Sequence, residues 1–109
     1  MSAAQRLKGA GAEREVLNII RVHGWRDAAR TSDGRAQAGR GDVVHGPAGC
    51  HIEIKRQERL NVPAAFDQVQ RDASPLDVPV LVHRPSRHSW MATLPLEELL
   101  ALLALRERA

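Results

Sequence analysis

Residues 41–55 read G-D-V-V-H-G-P-A-G-C-H-I-E-I-K. The run Gly46-Pro47-Ala48-Gly49 is a turn by composition, because glycine supplies unusual φ angles and proline presets one. A β-hairpin centred there opposes His45 to Cys50, Val44 to His51, Val43 to Ile52 and Asp42 to Glu53. Alternation then sends Val43, Ile52 and Ile54 to one face, fit for a core. Asp42, Glu53 and Lys55 go to the other. Directly opposed residues of an antiparallel pair have Cβ atoms roughly 4.5–5.5 Å apart, and like charges there are destabilising. A shared proton or a bound cation would offset the repulsion. The competing reading is a solvent-facing strand with an ordinary salt bridge.

The chain of 109 residues is expected to form one domain with a modest core, spanning residues 9–109 behind a flexible tail at 1–8. Its aromatics are Trp25, Phe66 and Trp90, so the core is built from aliphatic side chains. A single cysteine, Cys50, excludes an intrachain disulfide and a multi-cysteine zinc site. No run reaches the ~18 apolar residues of a membrane span, and the N-terminus lacks an apolar signal run. A soluble cytoplasmic protein is expected. The net charge of +3 is unevenly spread. Residues 1–60 carry eleven Lys/Arg against seven Asp/Glu, and residues 61–109 carry five against six. A basic surround to an acidic centre suits a polyanionic substrate, although a GC-rich genome also raises arginine content.

A helix is predicted from Ala12 to His23, ended by Gly24 and preceded by a flexible lead-in at residues 8–11. Glu13 lies on its apolar stripe with Val16, Leu17 and Ile20. A carboxylate there is either a first-turn acid favoured by the helix dipole, or one paired or bound to a metal. Glu15 faces outward, expected only to be solvated. Residues 25–30 read as a strand that directs Arg30 towards the acids. Residues 31–41 form a glycine-rich loop whose Arg35 and Arg40 suit phosphates, or are simply solvated. A basic segment from Arg56 leads to a helix over residues 63–73, with Ala65, Phe66, Val69 and Ala73 inward and Gln68 beside them. Residues 80–84 form a central strand, residues 89–94 return as its partner, and residues 95–108 form a helix whose leucines cover more than one face. The predicted order is α-β-β-β-α-β-β-α. The class is α/β, in the sense of an α+β mixed sheet with helices on its faces.

Carboxylate oxygens suit a hard cation such as Mg²⁺ or Mn²⁺. The histidines show no paired ligand spacing, and each reads as a strand or surface residue. A divalent ion between Asp42 and Glu53 would relieve their repulsion and stabilise charge developing on a phosphate. Lys55 is two residues along the same face. Acids, a lysine and surrounding arginines are what metal-assisted phosphodiester hydrolysis requires.

The pattern G-D-(x10)-E-I-K at 41–55 resembles the PD-(D/E)XK nuclease core, with Gly41 where that family often has proline. K-G-A-G-A-E-R-E-V-L at 8–17, H-G-W…R at 23–30 and the hairpin together resemble archaeal-type Holliday junction resolvases and the small phage and mobile-element nucleases related to them. Q-V-Q-R-D-A at 68–73, P-V-L-V-H-R and W-M-A-T-L look like the phage-type branch.

The resemblance implies a restriction-endonuclease-like core and a Mg²⁺-dependent DNA endonuclease, a homodimer acting on branched DNA. Glu13, Asp42, Glu53 and the main-chain carbonyl of Ile54 would hold the metal. Lys55 would be the catalytic lysine and Gln68 the glutamine of the following helix. Arg14 and Arg30 would act on the DNA backbone, with Lys8, Arg35, Arg40 and Arg56 as further DNA contacts. A nuclease indifferent to DNA structure, or directed to single strands, is the alternative within the fold. A non-catalytic DNA-binding protein is the alternative outside enzymes.

Overall fold

The structure, a computed structural model, describes residues 3–31 and 41–109, with side chains from residue 11 onward. Lys8 therefore contributes backbone only, and Arg35 and Arg40 lie outside the described residues. The elements are α1 (Ala3–Val22), β1 (Ala29–Arg30), β2 (Val43–Val44), β3 (Cys50–Arg56), α2 (Val62–Asp72), β4 (Val78–Arg84), β5 (Met91–Thr93) and α3 (Leu96–Arg108). Their order is the predicted one, and the chain is an α+β protein.

Two boundaries near the N-terminus differ from expectation. α1 starts at Ala3 rather than Ala12, so the proposed tail and lead-in are largely helical. Alanines at 3, 4, 10 and 12 outweigh the glycines at 9 and 11. The predicted strand over residues 25–30 shrinks to Ala29–Arg30, because a turn closed by Ala28 N–H on the Trp25 carbonyl (3.1 Å) occupies its first half. Gly24 ends the helix as expected. Its φ of +120° belongs to glycine, and Trp25 N–H caps the Ile20 carbonyl at 3.4 Å.

The main sheet has the order β3-β4-β5. β3 and β4 run parallel, with Ile52 beside Val80 and Ile54 beside Val82, and α2 makes the crossover that parallel strands require. Asn61 starts α2 by accepting the Ala64 N–H on its side chain, and Pro63 sits in the first turn where its missing donor costs nothing. β5 returns antiparallel along β4, which is central as predicted.

The predicted hairpin ladder between residues 43–45 and 50–52 does not form. β2 pairs with β1 (Ala29 opposite Val44, Arg30 opposite Val43) as a separate two-stranded sheet. His45 adopts φ +59°, which turns the chain before a ladder could extend. The surviving link is one backbone bond, Asp42 N–H to the Ile52 carbonyl at 2.7 Å.

The alternation nevertheless holds. Val43, Ile52 and Ile54 are buried with Ala12, Val16, Leu17 and Ala28 in one core under α1. Leu81 alternates with Val80 and Val82, so it faces the opposite side of the sheet, where α2 packs on β4 and Val69 is buried.

Candidate metal centre

Gly41 decides where Asp42 goes. Its φ is +64°, and a Cβ built there would stand 2.6 Å from the Ile52 carbonyl oxygen. Only glycine lets the backbone press this close to β3. Thr31 anchors the same point from the other side. Its buried hydroxyl donates to the Gly41 carbonyl, and its N–H donates to the Asp42 carbonyl at 3.2 Å.

Asp42 is thereby laid along the free edge of β3. Its N–H bonds the Ile52 carbonyl, and its carboxylate Oδ2 accepts the Ile54 N–H at 2.7 Å. The side chain occupies the position that a neighbouring strand's carbonyl would take, which is a further reason the ladder stops. In a strand the N–H and C=O of one residue point to the same edge. The Ile54 carbonyl therefore points to the edge where Asp42 lies, away from β4.

Glu53 is half-buried and accepts a hydrogen bond from His51 Nε2 at 3.0 Å. Burial pushes its carboxyl above the ordinary range, the Asp42 charge pushes it further, and the His51 contact opposes both. Glu13 reaches the same neighbourhood from α1. Burial raises its pKa first and Asp42 second, while Arg30, bonded to it through Nε at 2.6 Å, pulls it down. Asp42 is thus the common repulsive neighbour of two half-buried acids. The expected opposition of Asp42 and Glu53 survives without the ladder that was to produce it, and Arg30 does turn towards the acids.

No family model, curated protein or solved structure matches the chain.

The donor chemistry can be tested against a cation. Asp42, Glu53 and the Ile54 carbonyl are oxygen donors at one strand edge, and the Glu13 and Glu53 carboxyls are both raised, first by burial and then by the Asp42 charge. These features fit a hard divalent ion. Glu13 as a third acid fits less directly, because its carboxylate is engaged by Arg30. Among the described residues no three His, Cys, Asp or Glu side chains are gathered closely enough to enclose an ion by themselves.

The remaining predicted residues are distributed unevenly. Lys55 is half-buried and shares its face of β3 with Glu53 and His51. Arg14 is exposed on α1, and Gln68 is exposed on α2 beside the buried Val69. Arg56 is turned to the Ser86 hydroxyl (2.8 Å), which also contacts Glu58. Glu15, expected to be only solvated, instead pairs with Arg84 at 3.0 Å, and that guanidinium lies 4.9 Å from the Trp90 ring centre.

His51 was missed. It reads as an ordinary strand residue, yet it is 1 % exposed, and its Nδ1 is buried without a hydrogen-bond partner among the described residues. The available signal was its spacing. His51, Glu53 and Lys55 lie two apart on one strand and so share a face. The other buried histidine, His83, is satisfied through Nε2 by Thr93 Oγ1 at 2.9 Å.

Proposed function

We propose that this chain is a Mg²⁺-dependent DNA endonuclease built on a restriction-endonuclease-like core. The observation that carries the reading is the placement of Asp42 on the β3 edge, with its carboxylate on the Ile54 N–H and its charge bearing on both Glu53 and Glu13. The sequence resemblance supplies the reaction class, and it alone favours branched DNA over other DNA.

In this reading Asp42, Glu53 and the Ile54 carbonyl would hold Mg²⁺, with Mn²⁺ able to substitute. Glu13 would join them if its ion pair with Arg30 were released. The cation supplies charge neutralisation at the scissile phosphate. Lys55 holds the attacking water, whose oxygen bonds to phosphorus as the phosphorus–oxygen bond of the leaving strand breaks. One proton of that water passes to solvent, and the departing oxygen takes a proton from solvent as it leaves. Arg30, half-exposed beside Glu13, and Arg14 on the same helix hold flanking phosphates. Releasing Arg30 from Glu13 would serve both ends at once: an acid freed for the metal, and a guanidinium freed for the DNA.

The test is direct. Purified protein is incubated with a labelled four-way junction, a linear duplex, a splayed arm and a single strand, in Mg²⁺ and in chelator. Paired symmetrical nicks confined to the junction support the whole proposal. Equal cutting of all substrates removes the preference for branched DNA and leaves the nuclease. No cutting in Mg²⁺ or Mn²⁺ turns the reading to a non-catalytic DNA-binding protein.

A further inference from the structure

His51 sits inside the candidate metal centre without a part in the proposed hydrolysis. It is 1 % exposed, set beside Pro79 of β4, and its Nδ1 is buried without a hydrogen-bond partner among the described residues. Its Nε2 lies 3.0 Å from Glu53 Oε1. With Nδ1 unpartnered and a carboxylate at Nε2, the ring proton belongs on Nε2, where it is donated to Glu53. A close-packed interior leaves so enclosed a side chain little freedom to swing away. The hydrogen bond is therefore a fixed feature of the site.

Asp42 carries a matching restraint. Its Oδ2 accepts the Ile54 N–H at 2.7 Å. Each acid thus has one oxygen committed to an N–H of the chain. The other, Oδ1 on Asp42 and Oε2 on Glu53, has no N–H donor among the described residues. An N–H aimed at a carboxylate oxygen brings positive charge to the place a cation would take to chelate through both oxygens. The two acids are therefore set to offer a single oxygen each, and the Ile54 carbonyl adds a third. That count separates two hard cations. Mg²⁺ demands a near-ideal octahedron and keeps several of its waters, so a few single oxygens suffice for it. Ca²⁺ gathers roughly six to eight oxygens in a looser shell, and carboxylates that give both of theirs help to fill it.

We infer that His51 sets the cation preference of the site: by occupying Oε1 it confines Glu53 to binding through one oxygen, and so favours Mg²⁺ over Ca²⁺. The inference rests on the metal site of the proposed function and goes beyond it, because two acids and a lysine in sequence are silent on how many oxygens each acid offers. The restraint on Asp42 is made by the main chain and survives a change of side chain at 51. Replacing His51 thus frees one oxygen, Oε1 of Glu53.

Thermal midpoints of the chelator-treated full chain, followed against Mg²⁺ or Ca²⁺ concentration without DNA, give an apparent affinity for each ion. The wild type is expected to bind Mg²⁺ the more tightly. His51→Leu is expected to shift the ratio of the two affinities about tenfold towards Ca²⁺. His51→Gln keeps an N–H donor and is expected to hold the ratio near the wild-type value. The ratio isolates the effect, because a change in the charge of Glu53 alone weakens both divalent ions alike and cancels. An unchanged ratio in His51→Leu overturns the inference and leaves the nuclease reading standing. A wild type that prefers Ca²⁺ also overturns it, and that measurement needs no variant to fold. A chain that shows the expected ratios but cuts no DNA keeps the inference and loses the nuclease. No response to either ion overturns both.

Discussion

The carboxylate of Asp42 accepts the backbone N–H of Ile54 at 2.7 Å, so an acid side chain completes the free edge of β3 where a neighbouring strand would otherwise pair. That bond draws negative charge beside Glu53, one residue earlier in the same strand, and within electrostatic reach of Glu13 on α1. The site and the end of strand pairing are one structural event.

Gly41 is the hinge of that event, and Gly41→Ala tests it. The new methyl would meet the Ile52 carbonyl at 2.6 Å in a backbone held at φ +64°. A loss of about 2–4 kcal/mol in chemical denaturation is expected, with metal-dependent activity abolished as Asp42 shifts. Gly49→Ala is the control. Its φ of +74° is also strained, but its Cβ would meet nothing within 4 Å, so a loss of only about 1 kcal/mol with activity retained is expected.

Glu53→Gln should stabilise the protein in chelator at neutral pH. The Glu53 carboxyl is raised above its value of 4.5, first by burial and then by Asp42, so its ionisation is less favourable folded than unfolded. Stability contributed by the protonated group is complete below about pH 4.5 and is lost as pH rises through the raised pKa. Thermal midpoints should thus favour the variant at pH 7–8 and converge with wild type on approaching pH 4.5. Adding Mg²⁺ should raise the midpoint of the wild type and leave the variant nearly unmoved.

His51→Leu removes the hydrogen bond that opposes the rise in the Glu53 pKa. The pKa should climb further. Half-saturation by Mg²⁺ should then need several-fold more cation at neutral pH, and activity should begin at higher pH. His51→Gln keeps an N–H donor and should recover part of the affinity. Equal metal affinity in wild type and His51→Leu, measured by titration calorimetry, would exclude this role.

Lys55→Ala should keep the thermal midpoint and DNA binding and lose cleavage by two or more orders of magnitude, as expected for a group that acts on the reacting water. A large fall in midpoint instead would make Lys55 a structural residue.

The Glu15–Arg84 pair offers a negative control. Glu15 is half-exposed, so Arg84→Ala should cost no more than about 1 kcal/mol from the ion pair and the Trp90 contact together, with cleavage unchanged. Urea denaturation resolves a difference of that size.

How far the chain could be read in advance depended on the range of each interaction. Period-two alternation at Val43, Ile52, Ile54 and Glu53 is local, and it placed the core face and the acid face correctly. The stop at Gly24 and the proline at 63 are local too, and they marked helix ends within a residue or two. The hairpin ladder failed because a turn composition says that the chain reverses, not which strand takes the hydrogen bonds. β2 pairs with β1 instead, and the Asp42 carboxylate occupies the edge of β3 along which the ladder would have run. The solvated reading of Glu15 failed for the same reason, since Arg84 is 69 residues away.

By itself the sequence determined the order of elements, the side of the sheet each residue of 50–56 would face, and the proximity of Asp42 to Glu53. These follow from backbone periodicity and from a short connection that any fold must respect. Tertiary structure decided the rest. It set β3 against β4, buried His51 beside Glu53, tied Glu13 to Arg30 and left α3 with its leucines uncovered. Each of these depends on which distant segment arrives at a surface, and no local pattern encodes that.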